Sequence, residues 1–141
     1  MPLRVVLDTN VLIAGLRSPD GASFQLLQRL GTEAFTICIS VPLVLEYEAV
    51  AKRQSRELGL SFADIDDVLD YVCSIAEPHA IFYLWRPFLT DPRDDLVLEL
   101  AVEAHASCIV THNLRDFAGT ETFGIDALSP GAFLRRLEVS A

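Results

Sequence analysis

The sequence has no long uncharged segment. Its longest stretch without Asp, Glu, Lys or Arg runs from Ala34 to Leu45, well short of the ~20 apolar residues that a membrane-spanning helix requires. Residues 1–4 pass directly into the strand-like Val5-Val6-Leu7, without the apolar region and cleavage site of a secretory signal. These absences predict a cytoplasmic protein with no membrane segment.

Cysteine is scarce. The three cysteines, Cys38, Cys73 and Cys108, are an odd number, lie far apart and stand in apolar surroundings. Disulfide-bonded small domains and zinc modules need regularly spaced ligands, and the three histidines are not at metal-ligand spacing either. We therefore expect buried thiols in a reducing compartment, with no disulfide framework and no zinc cluster.

Positive charge is also scarce. The chain carries 20 acidic and 11 basic residues, a formal net charge of -9, and Lys52 is its only lysine. Nucleic acids bind mainly through Lys and Arg, which displace phosphate counterions, so the surface as a whole should repel them. A nucleic-acid substrate would need divalent cations held by the excess carboxylates, or a local group of arginines, which suit bidentate phosphate contact. The alternative is that most arginines lie on solvated helix faces.

Several catalytic motifs are missing. No Gly-rich phosphate loop is present, and no Ser or Cys stands in a nucleophile elbow. The predicted first strand ends in Asp8, but Thr9 and Asn10 follow it, so the second acid of an Asp-x-Asp phosphatase motif is absent. An aspartyl-phosphate mechanism is therefore not expected.

The order of apolar segments predicts one α/β domain over residues 1–141. Half of the residues (51%) are apolar, as in globular proteins, and the length suits one core. Strand-like and helix-like segments alternate, which is typical of a three-layer αβα sandwich with a mostly parallel central sheet. The predicted strands cover 4–8, 35–39, 80–84, 108–111 and 122–125. The predicted helices cover 23–30, 43–53 and 129–138, with two more that start at 61 and near 95.

Local signals set some of the boundaries. Thr9-Asn10 is predicted to form the turn after the first strand. Ser40 with Pro42 is a helix-start signal, and Ser61 with Asp64 resembles a capping box.

Acidic and polar residues lie where the predicted strands end. Asp8 follows the first strand, and Asn113 and Asp116 follow the fourth. Glu46 and the Asp94-Asp95 pair lie near the starts of helices that follow strands, so they can face the same edge. Ligands of such sheets bind beyond the carboxyl ends of the strands, and we expect these side chains to converge in one pocket.

Clustered carboxylates without nearby His or Cys suit hard cations such as Mg²⁺ and Mn²⁺. One or two such ions can activate water and stabilise the oxygens of a phosphodiester hydrolysis. Each residue also has a purely structural interpretation. These interpretations are a turn cap for Asp8, a solvated helix position for Glu46, a helix N-cap for Asp94 or Asp95, and loop positions for Asn113 and Asp116.

Four segments resemble, in order, the motifs of PIN-domain nucleases. They are Val6 to Leu12 (VLDTNVL), Ser40 to Tyr47 (SVPLVLEY), Asp91 to Ala101 (DPRDDLVLELA) and Ile109 to Phe117 (IVTHNLRDF). The resemblance runs from Arg4 to about Ile125. It is strongest to the subgroup described as toxin components of prokaryotic toxin-antitoxin systems.

The resemblance implies a PIN-like, Rossmann-like fold, dependence on Mg²⁺ or Mn²⁺, and single-stranded RNA as the substrate. By motif position, it makes Asp8 a metal ligand with Glu46 and Asp95 as partners, and Asp94 supports or shares the role of Asp95. Thr111 and Asn10 take supporting roles.

One position departs from the family pattern. Many members carry aspartate where this sequence has Asn113, so the fourth acid is replaced by an uncharged oxygen ligand or supplied by Asp116. Metal affinity should be weaker but not lost, because Mg²⁺ usually takes only one or two carboxylates from a protein.

The resemblance also implies partners: a cognate antitoxin and a second copy in a homodimer. RNA contact is expected near Arg17, Arg53, Arg93 or Arg115. Two other functions stay open, a non-catalytic RNA- or protein-binding module and a nuclease acting on DNA or structured RNA.

Overall fold

The computed structural model describes residues 3–81 and 88–140. Five strands in these ranges form one sheet in the order β3-β2-β1-β4-β5, and every neighbouring pair is parallel. The strands are β1 (Leu3–Leu7), β2 (Phe35–Ile39), β3 (Glu77–Pro78), β4 (Cys108–Val110) and β5 (Asp126–Leu128). The helices are α1 (Thr9–Arg17), α2 (Ala22–Gln28), α3 (Val41–Arg53), α4 (Ser55–Leu58), α5 (Phe62–Ile75), α6 (Pro92–Glu103) and α7 (Pro130–Ser140).

The central strands are buried on both faces. Val5, Val6 and Leu7 of β1 are buried, as is every residue of β4. Successive side chains of a strand point to opposite faces, so burial of consecutive residues requires helices on both sides of the sheet. This burial confirms the predicted αβα fold. None of the helices in the described ranges is long and apolar enough to cross a membrane.

The direction of strand addition reverses beside β1. The chain places β2 and then β3 on one side of β1, and β4 and then β5 on the other. The connections therefore diverge at the carboxyl ends of β1 and β4, which is the usual ligand position in open α/β sheets.

Two helix caps were predicted correctly from the sequence. The Ser40 side chain accepts a hydrogen bond from the Leu43 amide at 3.3 Å and begins α3. Ser61 and Asp64 exchange side-chain-to-backbone hydrogen bonds of 3.0 Å in a capping box, which begins α5. These caps depend only on neighbours in the sequence, so local reasoning finds them.

The predicted turn at Thr9-Asn10 is wrong, because these residues begin α1. Asp8 occupies the N-cap position of this helix and accepts a hydrogen bond from the Thr9 amide. Residues 11–13 are all buried, and α1 contacts both α2 and α3. The apolar residues of α1 do follow a helical period, but the helix has only nine residues, about two and a half turns, so its start is easily taken for a turn.

Three other predictions need correction. The last strand lies at Asp126–Leu128, not at 122–125, and Thr120–Phe123 forms a 3₁₀ turn instead. The second helix begins at Ala22 after an N-cap at Gly21, so Ser23 is not its cap. Cys38 and Cys108 are buried as expected, but Cys73 is exposed.

The predicted strand at 80–84 is not found where it can be checked. A two-residue strand, β3, lies at Glu77–Pro78 instead, and residues 80 and 81 are not in a strand. Residues 82–84 lie outside the described residues.

Gly15 lies where α1 packs tightly against α2. A Cβ at this position would overlap Leu27 Cδ1 and would lie 2.8 Å from Leu27 Cγ and 3.2 Å from the Ser23 carbonyl oxygen. The Leu27 side chain can rotate, but the backbone oxygen cannot move independently of its helix.

We expect Gly15→Ala to destabilise the protein by about 1–2 kcal/mol, because overpacking outweighs the better helix propensity of alanine. Gly131→Ala in α7 is the matched control. Its Cβ would have only Arg135 Nη1 nearby, at 3.6 Å, so it should be neutral or stabilising by up to about 1 kcal/mol. Urea unfolding measures both changes, and a Gly15→Ala protein as stable as wild type would contradict the close contact.

Candidate active site

A pocket of about 450 Å³ opens at the carboxyl edge of the sheet, beside the end of β1. Five acids and three arginines line the pocket. One of the acids is Asp91, and the other four come from distant parts of the chain. The four acids, called the acidic ring below, are Asp8, Glu46, Asp94 and Asp116. The arginines are Arg17, Arg53 and Arg93.

Both carboxylate oxygens of Asp8 have hydrogen-bond donors. Oδ1 accepts from the Thr9 amide at 2.8 Å, and Oδ2 accepts from the Thr111 hydroxyl at 2.7 Å. Asp8 is only 6% exposed. Burial raises the pKa of Asp8, with Thr111 and Thr9 acting in the opposite direction and the charges of Glu46 and Asp116 adding to the rise. Asp8 is thus held in one orientation, but its charge is only partly compensated.

Thr111 connects the end of β4 to the start of α1. Its side chain is fully buried, donates to Asp8 and accepts a 3.0 Å hydrogen bond from the Asn113 amide. Asn10 Nδ2 lies 3.5 Å from the same hydroxyl, and Asn10 Oδ1 accepts from the His112 amide at 3.2 Å. Asn10 and Thr111 therefore orient the loop after β4.

Glu46 faces the pocket from the second turn of α3. Its Oε2 accepts a 2.6 Å hydrogen bond from the Thr9 hydroxyl. The adjacent Tyr47 is buried and donates from its hydroxyl to the Leu7 carbonyl at 2.6 Å. The hydrogen bond from Tyr47 attaches α3 to the end of β1. Glu46 and Asp8 are therefore held on the same side of the pocket.

The three acids at the start of α6 have different positions. Asp91 caps the helix and pairs with Arg93, at 3.0 Å between Oδ2 and Nη2. Asp95 is 8% exposed, and its Oδ1 accepts from the amides of Phe88 and Leu89 at 3.3 and 3.0 Å. Of the adjacent pair, Asp94 lines the pocket and Asp95 does not. The N-cap of α6 is Asp91. The alternative prediction that Asp94 or Asp95 serves only as the N-cap of this helix is therefore wrong.

The two candidates for the fourth acid are also separated. Asp116 lines the pocket, whereas Asn113 is exposed and does not. Sequence reasoning missed His112 and Ser23: His112 lines the pocket, and its Nε2 lies 2.8 Å from the Ser23 hydroxyl. These two residues are 89 positions apart, so no local pattern could have paired them.

The carboxyl group of Asp94 is strongly perturbed. Burial raises its pKa to about 7, and the charges of Asp8, Asp91 and Asp116 contribute, although Arg93 lowers it. Nearby carboxylates disfavour ionisation of one another unless a cation is present. The pocket therefore favours binding of positive charge.

The donor set fits a hard divalent cation. All four members of the ring offer carboxylate oxygens, the ligands that Mg²⁺ and Mn²⁺ prefer. Among the residues that the structure describes, no three of these side chains have ligand atoms all within 4.8 Å of one another. In this arrangement an ion would contact fewer than three of these carboxylates directly, and Mg²⁺ usually takes one or two carboxylates from a protein and keeps several waters.

A family model described as PIN domain matches residues 4–115. The chain belongs to the PIN-domain family. PIN domains are generally nucleases, and these nucleases typically use divalent metals, in agreement with the donor set of the acidic ring.

The fold is shared with a solved structure of low sequence identity. A chain of the crystal structure of VapBC2 from Rickettsia felis, bound to a DNA fragment from their promoter, matches with a TM-score of 0.60 and 17% identity. The match covers 90% of this PIN-domain chain and 100% of that chain. No curated protein matches this sequence significantly. At 17% identity the likeness shows the fold alone.

We expect Asp94→Asn to stabilise the metal-free protein. At pH 8 in EDTA, the change removes a charge that burial and neighbouring carboxylates disfavour. Screening by solvent at this half-buried site reduces the gain to roughly 1 kcal/mol, or about 2–5 °C in thermal unfolding. Mn²⁺ should then raise the unfolding temperature of the wild type more than that of the variant.

Asp70→Asn is the control, because Asp70 is an exposed acid on α5, outside the pocket. It should change the unfolding temperature by less than about 1 °C. A drop in the stability of Asp94→Asn in EDTA would show that the Asp94 carboxylate stabilises the fold, contrary to this prediction.

Proposed function

We propose that this PIN-domain protein is a Mg²⁺- or Mn²⁺-dependent endoribonuclease that hydrolyses phosphodiester bonds of single-stranded RNA. The observation that carries the proposal is the acidic ring itself, in which four carboxylates share one pocket with arginines that can contact phosphate. The choice of single-stranded RNA follows the family resemblance of the four motifs.

The acidic ring would hold the cations. When bound, such ions supply an activated water and stabilise charge on the attacking and leaving oxygens of phosphodiester hydrolysis. Of the adjacent pair, we assign metal binding to Asp94, because Asp95 uses its Oδ1 to hold the amides of Phe88 and Leu89. Asn113 is assigned no ligand role, and Asp116 supplies the fourth carboxylate.

The chain itself contributes fixed geometry. Hydrogen bonds from Thr9 and Thr111 hold Asp8, and the Thr9 hydroxyl also holds Glu46. Little side-chain entropy then remains to be lost when a cation binds, which is the advantage of a preorganised site.

Arginines of the pocket would bind the RNA backbone. Arg17 and Arg53 line the pocket and make no ion pair with a carboxylate in the described part of the chain. Arg17 Nη2 instead bonds to Gln54 Oε1 at 2.5 Å. Arg93 is paired with Asp91, and Arg115 does not line the pocket, so Arg17 and Arg53 are the better phosphate ligands.

A role as the toxin of a toxin-antitoxin pair is part of the same proposal. The shared fold with a chain of VapBC2 and the motif resemblance support it. In this role the protein would act in the cytoplasm as a homodimer and would be inhibited by a cognate antitoxin.

Cleavage of a labelled single-stranded RNA by purified protein tests the enzyme, with Mn²⁺, with Mg²⁺ and with EDTA. We expect cleavage only with metal. Asp8→Asn and Asp94→Asn should each reduce the rate at least about 100-fold, equivalent to ~3 kcal/mol of transition-state stabilisation. Asp95→Asn should retain activity to within about tenfold, because an amide oxygen can still accept from the loop amides.

The other outcomes are informative. Equal cleavage by wild type and Asp8→Asn would locate the activity outside the acidic ring. Metal binding without cleavage would favour the non-catalytic RNA- or protein-binding module. If duplex RNA or DNA competes better than single-stranded RNA, the protein is a nuclease of RNA processing or DNA metabolism. Loss of activity in Asp95→Asn, with activity retained in Asp94→Asn, would assign metal binding to Asp95 instead of Asp94.

Substitution of the pocket arginines tests RNA contact. Arg17→Gln and Arg53→Gln should each raise KM more than they lower kcat, and each should reduce the dependence of RNA affinity on log salt concentration by about one unit. Arg56→Gln on α4 is the matched control, since Arg56 is exposed and does not line the pocket. Equal effects of all three substitutions would indicate general electrostatics and not a phosphate-binding position.

A further inference from the structure

A second group of metal-binding side chains lies away from the acidic ring, at the edge of the sheet formed by β2 and β3. It consists of Cys38, Glu77 and His79. Their ligand atoms, one sulfur, one carboxylate oxygen and one imidazole nitrogen, all lie within 4.8 Å of one another. Within residues 3–81 and 88–140, this is the only group of three Cys, His, Asp or Glu side chains that meets that limit.

Strand pairing brings these three residues together. Cys38 of β2 is the direct partner of Glu77 of β3 in the parallel register. His79 follows Glu77 by two positions, so the two side chains share a face. The His79 amide donates to the Ile39 carbonyl at 2.8 Å, which continues the backbone pairing past the end of β3. The group is therefore built on paired backbone and not on a loose loop.

The donor types differ from those of the acidic ring. Thiolate, imidazole and carboxylate are the ligands of Zn²⁺ and similar transition metals, whereas Mg²⁺ takes oxygen ligands. In a tetrahedral zinc site, bond lengths of about 2.0–2.3 Å place ligand atoms roughly 3.5 Å apart. Glu77 Oε1 and His79 Nε2 are now 2.7 Å apart in a hydrogen bond. Shared coordination would need a movement of about 1 Å and the loss of the Nε2 proton, which passes to Nδ1 or to solvent.

Arg4 holds the carboxylate of the group. Its Nε donates to Glu77 Oε1 at 2.9 Å. Burial alone would raise the pKa of Glu77, but the hydrogen bonds from Arg4 and His79 outweigh this effect and lower it. Metal-binding carboxylates commonly have such an outer hydrogen-bond donor. Glu77 and His79 are half-buried, which leaves solvent access to the group.

The cysteine is unsuited to a redox role without metal. Cys38 is buried, and burial together with the charge of Glu77 raises the pKa of its thiol to about 11. A thiol in this state is a poor nucleophile and resists oxidation. A bound transition metal would displace the thiol proton, so Cys38 can act as a metal ligand although its free thiol is unreactive.

We propose that Cys38, Glu77 and His79 bind one transition-metal ion of the Zn²⁺ type, at a site independent of the acidic ring. Solvent completes the coordination. The ion cross-links β3, which has only two residues, to β2, whose end leads through Ser40 into the helix that carries Glu46. The site would thus stabilise the edge of the sheet next to α3.

Titration of the full chain with Co²⁺ tests the site without measuring nuclease activity. A cysteine ligand gives a thiolate-to-cobalt charge-transfer band in the near ultraviolet, which carboxylates of the acidic ring cannot produce. With excess Mg²⁺ present to occupy the acidic ring, we expect the band to saturate at one equivalent of Co²⁺ and to disappear when Zn²⁺ displaces Co²⁺. Cys38→Ser should abolish it, and His79→Ala should weaken Co²⁺ binding at least about tenfold.

Two cysteine variants serve as controls. Cys108→Ser changes another buried thiol, on β4, and Cys73→Ser changes the exposed thiol that shares an apolar groove with His79. Both should keep the band. Circular dichroism verifies that each variant is folded. Because His79 is partly exposed, His79→Ala provides an independent test if Cys38→Ser does not fold.

The proposal is overturned by the absence of a band in the wild type, by a band that persists in folded Cys38→Ser, or by unchanged affinity in His79→Ala. Loss of the band in folded Cys73→Ser would also overturn it, by assigning the ligand to the other thiol. In the Asp8→Asn background the band should be unchanged, which separates this site from the acidic ring.

Discussion

The hydrogen bond from the Thr111 hydroxyl to Asp8 Oδ2 is the contact on which the site depends. It joins the carboxyl ends of β4 and β1, where the strand order reverses, and it is completely buried on the threonine side. The Asp8 amide also bonds to the Val110 carbonyl at 2.9 Å. Because the carboxylate and backbone of Asp8 are both attached to β4, α1 begins in a fixed direction. Thr9 on that helix then orients Glu46.

The acidic ring opposes the stability of the fold that presents it. Burial and mutual repulsion raise the pKa values of Asp8 and Asp94, so these carboxylates favour the folded state less than solvated ones would. The surrounding structure retains them through hydrogen bonds from buried groups such as Thr111 and through packing of fully buried strands. Strain of this kind is typical of functional sites, where a cation or substrate supplies the missing charge.

Sequence patterns located the acids but not their directions. Asp94 and Asp95 are adjacent and chemically identical, yet successive residues of a helix point about 100° apart. Asp94 therefore faces the pocket, while Asp95 faces the loop at Phe88 and Leu89. The position of the motif favoured Asp95. Neither helix propensity nor the spacing of apolar residues shows how α6 is rotated about its axis. That rotation depends on which side of the helix packs against the sheet.

The sequence by itself determined the αβα class, the caps at Ser40 and Ser61, and the family, because each depends on local hydrogen bonds, alternating elements or ordered motifs. Only the tertiary structure decided that Asp94 and not Asp95 lines the pocket, that Asp116 and not Asn113 does so, and that Cys38 pairs with Glu77. The physical reason is common to all three. Each depends on contacts between distant segments, set by packing and strand register, and pairs such as Cys38 and Glu77, 39 positions apart, leave no periodic trace in the sequence.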